Sequence, residues 1–521
     1  MSKRFYITTA IDYVNGEPHL GHAYEKVITD VIARARASLG EAPFYLTGLD
    51  EHGQKVQQAA QSKGMDPQAY CDELALTWRA FAEKLQLSNQ DFIRTSESRH
   101  KAFVQAILSK LHAADQFYKA EYHGFYSTKE ETFLTDRDRR EDGTFDPMYG
   151  EVVELAEENY YFKLSNHQTW LIDHIQNHPE FVYPENRRNE VLGFLNSGPL
   201  EDLCISRPIS RLNWGIPLPF DAGYVTYVWF DALVNYATVP ADHGDPLVTP
   251  FLGSPCSESG PELWPADAHV IGKDILKFHA VYWPIMLRTI GLPLPRQILV
   301  HGWWQKDHQK ISKSIGNIVD PMVVIDEWGL DAFRYYVVRE LELGPDGNWT
   351  DSGFAARYQS ELANGLGNLV NRSLSMLHRY RQGRVPASST DLQEEAERIC
   401  GEVIESYRAH RLQGALQIIL QLVDRANQYV DQTAPFKIAK DPDQQGRLDE
   451  ILYCLVETCR FLANLLWPVI PGAAQKIYRQ LALEETPDQL SDLRWGGLVS
   501  GHIVGKAEPL FPRKDLVLKT D

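Results

Sequence analysis

The sequence predicts an α/β protein: a parallel sheet split by an inserted α+β domain, followed by an all-α helix bundle. Three observations predict this. Strand, helix and strand alternate at the start of the chain and again near residue 270, and the stretch between is polar and weakly periodic. Beyond residue 357 apolar residues recur at helical spacing.

Residues 5–9 read as a buried strand, and after a Gly/Pro turn Tyr24, Val27, Ile28, Val31, Ala35 and Leu39 repeat with helical period. Residues 44–47 form a second strand. The later block runs from a strand at 268–271, through an apolar helix after Asp274, to a strand at 298–300. Between the blocks lies a segment rich in Glu, Asp, Asn, Tyr and Pro, which reads as an insertion. Near the end, Leu412, Ala415, Leu416, Ile419, Val423, Ala426 and Val430 make one stripe that stops before Pro435, the mark of a bundle helix. The expected units are 1–116 with 220–293 (sheet domain), 117–219 (insert), 294–356 (a connective fold) and 357–521 (bundle).

At 521 residues the chain exceeds the roughly 250 to 300 residues at which one core stops growing. With 44% hydrophobic and 23% charged residues it is neither disordered nor fibrous. A net charge of −18 argues against indiscriminate polyanion binding but leaves room for a local basic stripe on a nucleic acid. The apolar run 451–470 is broken by Glu457, Arg460 and Pro468, so no membrane span is expected. No signal-peptide core follows Met1, which places the protein in the cytoplasm. The six cysteines, Cys71, Cys204, Cys256, Cys400, Cys454 and Cys459, form no C-x-x-C pair and read as core thiols.

Two short segments carry the chemistry. His19-Leu20-Gly21-His22 stands where a strand gives way to a helix. There glycine lets a ligand approach the backbone, a helix start favours anions, and imidazoles at i and i+3 can donate to phosphate. Taken alone, a surface loop with incidental histidines explains it equally well. Lys310-Ile311-Ser312-Lys313-Ser314, then Gly316-Asn317, follows the last strand of the sheet. Two lysines three apart can neutralise the charge that builds on departing pyrophosphate. An isolated basic loop is more often solvated surface, but the pairing of both segments in a split parallel sheet favours nucleotide chemistry.

These two segments resemble the HIGH and KMSKS signatures of class I aminoacyl-tRNA synthetases, each with one conservative change. Over nearly its whole length the chain is similar to the methionyl-tRNA synthetase family. The supporting residues include 47–53, 214–217, 227–232, 271–275 and 367–372. The resemblance implies a Rossmann-like catalytic domain that joins L-methionine to ATP and then charges initiator and elongator tRNA(Met). It also implies a methionine pocket of Ala10, Ile11, Tyr13, Trp229, Ala232, Tyr236, Ile275 and His279, with Asp50 taking the ammonium. For ATP it implies Gly272 and Asp274 at the ribose, His19, Gly21 and His22 at the phosphates, and Lys310, Ser312 and Lys313 at the pyrophosphate. His19, His22, Lys310 and Lys313 are thereby the catalytic candidates, and Mg2+ is expected with ATP. Read without the resemblance, Trp229 and Tyr236 are ordinary helix core and Asp274 a helix cap.

The chain departs from the family at Asp12, where Pro or Tyr is commoner, and in the insert. Zinc-binding relatives carry C-x-x-C pairs after the position of Tyr126, whereas Ser127 and Glu130 stand here, so no structural zinc is expected. Glu130, Glu131, Asp136, Asp138, Glu141 and Asp142 read as a solvated acidic face. In the bundle the resemblance assigns anticodon reading to Asn368 and Arg372, at i and i+4, and base stacking to Phe436, which replaces the usual Trp. Arg379, Arg381, Arg384, Lys437 and Lys440 are either phosphate contacts or solvated cations. Without the C-terminal dimerisation domain of some relatives, a monomer is expected. Two alternatives stand beside this reading: a synthetase of the same class for leucine, isoleucine, valine or cysteine, and a catalytically silent tRNA-binding paralogue.

Overall fold

The computed structural model describes residues 4–14, 16–127, 132–134, 138–140, 142–253, 260–311 and 317–514. Arg4–Thr9 forms the centre of a seven-stranded sheet. It pairs in parallel with Ala42–Asp50 on one side and Ala268–Gly272 on the other. Beyond Ala268–Gly272 come Ile298–His301 and Val182–Tyr183, while Asp12–Tyr13 and Asp91–Arg94 both pair with Ala42–Asp50, every pairing parallel. The strand from the start of the chain and the strand from residue 268 are thus neighbours, and the sheet order reverses between them.

Alternation along these strands feeds two cores. Phe5, Ile7, Val270 and Leu299 pack on one face, with Val27 and Val31 of the helix Leu20–Ser38. Tyr6, Ile271, Ile298 and Val300 face the other way, against Phe230 and Tyr236 of the helix Val228–Asp242. A sheet covered on both faces explains why its strands read as unbroken apolar runs.

The insert opens with two long antiparallel strands, Phe117–Ser127 and Val152–Phe162, in register from Phe117 opposite Phe162 to Ser127 opposite Val152. Thr132–Leu134 and Leu203–Cys204 extend this sheet. The helices Gln168–Asn177 and Glu185–Asn196 follow, and the strand Val182–Tyr183 between them is the edge strand of the main sheet. The insert is therefore stitched back into the parallel sheet.

After Ile298–His301, the strand Trp304–Lys306 pairs with Gln309–Lys310 and with Gly347–Trp349. The bundle is built from Asn368–Arg381, Gln393–Arg408, Leu412–Thr433, Gln445–Leu466 and Pro471–Gln480. Its Leu416 and Leu455 belong to the same continuous core as Ile7 and Val27. One buried side chain ties the parts together. Arg334 donates to Asp30 of the first helix at 2.6 Å, to the Leu85 carbonyl at 3.2 Å, and to the Val469 carbonyl of the bundle at 2.8 Å.

Candidate active site

The reversal in strand order leaves a crevice at the C-terminal ends of Arg4–Thr9 and Ala268–Gly272, where open α/β sheets bind their ligands. A cavity of about 460 Å³ occupies it. Its walls contain Ala10, Ile11, Tyr13 and Asp50 from the first half-sheet, and Trp229, Ala232 and Tyr236 from the helix Val228–Asp242. Ile275 and His279 close it from the turns that follow the strand Ala268–Gly272, and His19, Gly21, His22, Gly272 and Asp274 line the same space. A second cavity of about 570 Å³ adjoins it and shares His19, Gly21, Asp274, His301 and Trp303.

The two histidines are held by the helix start itself. His19 is the N-cap of Leu20–Ser38 and its Nδ1 accepts the Gly21 N–H at 3.1 Å, while the His22 Nδ1 accepts the His19 N–H at 3.2 Å. This is a capping box made of two imidazoles, stacked with centroids 3.7 Å apart. Because each Nδ1 accepts, each neutral ring carries its proton on Nε2, which makes both Nε2 atoms donors. Burial, with His19 and Lys26 nearby, holds the pKa of His22 well below the ordinary value, so it stays neutral. A Cβ at Gly21 would stand 3.0 Å from the His19 ring, so a larger residue here would press the imidazole out of its place.

The opposite end of the cavity is aromatic. Trp229 stacks on Phe278 at 3.9 Å and 10°. His279, on the π-helical turn Phe278–Tyr282, donates its Nδ1–H to the Ile275 carbonyl at 3.0 Å, because a carbonyl can only accept. Its Nε2 must then accept the Tyr236 O–H at 2.7 Å. Burial pushes the His279 pKa down to about 4, which keeps this wall uncharged. Tyr236 is in turn held by the Tyr6 hydroxyl, which donates to its main-chain carbonyl at 2.8 Å. Asp50, buried at the end of Ala42–Asp50, supplies a carboxylate to the same space.

Asp274 is not a helix cap: Gly272 holds that position for the short turn Lys273–Ile275. A Cβ on Gly272 would stand 2.5 Å from the Asp274 carboxylate, so glycine here makes room for it.

Several residues at this site escaped the sequence reading. Asp12 and Lys26 form a fully buried ion pair, with Asp12 also 3.9 Å from His22 Nε2. Burial, only partly offset by Lys26, pushes Asp12 up to about 6. His301 donates to the Gly302 carbonyl at 2.8 Å and to Glu25 at 3.0 Å. Burial opposes its charge, but the hydrogen bond and charge of Glu25 raise its pKa overall. Glu25 lies three residues beyond His22 on the lining face of the helix, a phase signal that was present in the sequence. Lys26, four residues beyond His22, shares that phase, but its residue type pointed the other way, because a helix lysine is normally solvated.

Lys310 ends the hairpin Trp304–Lys306/Gln309–Lys310; its side chain, and all of Ser312, Lys313, Ser314 and Gly316, lie outside the described residues. So do Glu130, Glu131, Asp136, Glu141 and Cys256. Of the remaining acids of the insert, Asp138 accepts the Tyr149 hydroxyl and Asp142 holds the turn at Thr144. Among the described residues no three His, Cys, Asp or Glu side chains converge as a metal site.

In the bundle, Asn368 and Arg372 share the helix Asn368–Arg381, and Arg372 reaches Asp431 at 3.1 Å, at the end of the helix leading to Phe436. Phe436 is 49% exposed. Arg381 is engaged by Asp449 at 2.5 Å and Arg384 by the Gly501 carbonyl at 3.1 Å, while Arg379, Lys437 and Lys440 are exposed.

A family model described as tRNA synthetases class I (M) matches residues 5–142 and 148–374. Over 99% of its length the chain is 39% identical to the methionine–tRNA ligase of Fusobacterium nucleatum, covering 81% of that protein. It is 41% identical over its full length to that of Clostridium acetobutylicum, covering 79%. Among solved structures, Mycobacterium tuberculosis methionyl-tRNA synthetase in complex with methionyl-adenylate superimposes with a TM-score of 0.89 at 36% identity, covering 98% of this chain and 100% of that one. Its apo form gives 0.85 at 34%, with 99% of each chain covered.

Proposed function

The chain belongs to the class I methionyl-tRNA synthetases, and from that premise we propose how its own residues divide the work. The enzyme is a methionine–tRNA ligase: it activates L-methionine with ATP and passes the methionyl group to the 3′ adenosine of tRNA(Met). The observation that carries the assignment of residues is the cavity at the sheet's reversal point, which has an aromatic, uncharged end, a buried carboxylate and a row of anion donors.

Methionine enters the aromatic end. Its thioether lies among Ala10, Ile11, Tyr13, Trp229, Ala232, Tyr236, Ile275 and His279, where sulfur–ring contacts add about 0.3 to 1.5 kcal/mol. Asp50 takes the ammonium. This leaves the substrate carboxylate facing His19 and His22. One of its oxygens attacks the α-phosphorus of ATP, a new P–O bond forms, and the bond to pyrophosphate breaks with its electron pair leaving on pyrophosphate. The substrate is its own nucleophile, so the protein positions and neutralises rather than moving a proton. The Nε2–H groups of His19 and His22 donate to phosphate oxygens beside the Gly21 backbone, Gly272 and Asp274 hold the ribose, and Lys310, Ser312 and Lys313 meet the pyrophosphate. In the second step a hydroxyl of the terminal adenosine attacks the methionyl carbonyl; the ester C–O bond forms, the carbonyl–phosphate C–O bond breaks with its electron pair leaving on AMP, and the hydroxyl proton passes to the departing phosphate.

Mg2+ is proposed to arrive on the triphosphate, since imidazole and ammonium donors suit anions rather than a hard cation. We further propose action on both initiator and elongator tRNA(Met), with Asn368, Arg372 and Phe436 reading the anticodon. A cytoplasmic monomer without structural zinc completes the proposal, with 1–116 and 220–293 as the catalytic domain, 117–219 the insert, 294–356 the connective fold and 357–521 the bundle.

The test is pyrophosphate exchange into ATP with each of the twenty amino acids, without tRNA. Exchange with methionine alone is expected; exchange with another amino acid would overturn the pocket assignment. Lys313→Ala should lower the activation rate by about 10²-fold or more with methionine affinity little changed. A change confined to methionine affinity would remove its role.

A further inference from the structure

Trp303 and Asp274 stand together in the wall shared by the two cavities. The Trp303 indole N–H donates to Asp274 Oδ1 at 3.1 Å, and among the described residues it is the only donor to that carboxylate. An indole can only donate, so the contact has one polarity. It fixes one oxygen of an otherwise exposed carboxylate and leaves the other without a side-chain donor among the described residues.

The indole is itself held in place. The Lys273 ammonium lies 4.2 Å from its ring centroid, a cation–π contact, and pairs with Asp346 at 2.8 Å. Asp346 Oδ1 accepts the Trp303 main-chain N–H at 2.9 Å, and the Trp303 carbonyl accepts the Gly347 N–H at 2.8 Å. The preceding Gly302 is pressed so tightly on the Pro345 carbonyl that a Cβ would stand 1.9 Å from it. The backbone at Trp303 therefore cannot shift independently of residues 345–347. One residue later begins the strand Trp304–Lys306, whose antiparallel partner ends at Lys310.

We propose that Trp303 is a positioning residue for the nucleotide: its indole orients Asp274 toward the ribose and ties that seat to the hairpin carrying Lys310. This rests on the reading of Asp274 as the ribose-binding carboxylate. A carboxylate free to rotate must be ordered when ATP binds, whereas one clamped between Gly272 and an indole is ordered beforehand.

The experiment is methionine-dependent pyrophosphate exchange by the full chain with ATP, 2′-deoxy-ATP and 3′-deoxy-ATP. Trp303→Phe keeps the ring wall and removes the donor. It should raise the KM for ATP about tenfold, leave the KM for methionine within about twofold, and shrink the preference for ATP over one deoxy analogue by a similar factor. Lys273→Met, which loosens the ring without touching the hydrogen bond, should shift the same quantities less. Asp274→Asn should erase the preference. If it does so while both other variants keep wild-type preference and KM, the positioning role is overturned and Asp274 stands. A preference that survives Asp274→Asn removes the premise, and the proposal with it. Equal losses for ATP and methionine in Trp303→Phe would mark a merely structural side chain and also overturn it.

Discussion

At the scale of the residue, the site is governed by buried polar groups, each held by specific partners. Tyr236 and His279 are the clearest case: removing the Tyr236 hydroxyl leaves a buried ring nitrogen without its donor. Tyr236→Phe should raise the KM for methionine about tenfold with the KM for ATP unchanged, read by exchange kinetics. Asp12 and Lys26 are coupled in the same way. Lys26→Met alone should cost about 3 to 5 kcal/mol in urea unfolding, whereas Asp12→Leu combined with Lys26→Met should recover most of it. The histidines set a pH dependence. His52 and His100, held down to about 3, and His279, at about 4, stay neutral in the fold but take up protons near 6.5 when unfolded. The unfolded state then binds more protons, so this stability is present above 6.5 and is lost as pH falls from 6.5 toward 3 to 4. Asp12, raised to about 6, acts with the opposite sign and over a narrower range. Urea midpoints measured between pH 7 and 4 should fall steadily, and His279→Gln should show a shallower fall.

At the scale of the element, the start of the first helix serves both structure and chemistry. Its capping box uses the Nδ1 atoms of His19 and His22 for the backbone and leaves the Nε2 atoms as donors, the groups proposed above to meet phosphate. Gly21→Ala separates the two roles. Alanine favours a helix by up to about 1 kcal/mol over glycine, yet the new Cβ crowds the His19 ring. Exchange should fall about tenfold with no drop in the thermal midpoint; a fall in both would show that the cap, not the ring placement, was damaged. Elements of this kind were legible in the sequence. The strand at residues 5–9, the helix carrying Val27 and Val31, and the strand at 298–300 all announce themselves by period, and the observed bounds Arg4–Thr9, Leu20–Ser38 and Ile298–His301 differ from that reading only at their ends. Val182–Tyr183 was not legible, because two residues carry no period and only their pairing with Ile298–Leu299 makes them a strand.

At the scale of the whole molecule, the bundle is not a separate body tethered to the sheet domain. Arg334, fully buried, binds the carboxylate of the first helix and two carbonyls of the bundle. Arg334→Met leaves Asp30 buried without that partner and should destabilise the protein by about 3 to 5 kcal/mol in denaturant unfolding. Phe436→Ala probes the far end. Loss of a stacked base is worth about 1 to 3 kcal/mol, so aminoacylation should fall while pyrophosphate exchange survives. Equal loss in both steps would remove Phe436 from anticodon reading.

By itself the sequence determined the alternating strands and helices at each half of the sheet, the helical character of the last third, the two signatures, and the family. Those are local properties, written in spacing and residue type within a few dozen positions. The tertiary structure alone decided which nitrogen of His19, His22 and His279 carries its proton, that Lys26 is buried on Asp12, that Glu25 raises the pKa of His301, and that Trp303 reaches Asp274. Each of these depends on a distance between side chains set by packing, often across hundreds of residues, and on exclusion from water. Neither quantity is carried by local periodicity or by the identity of a single residue.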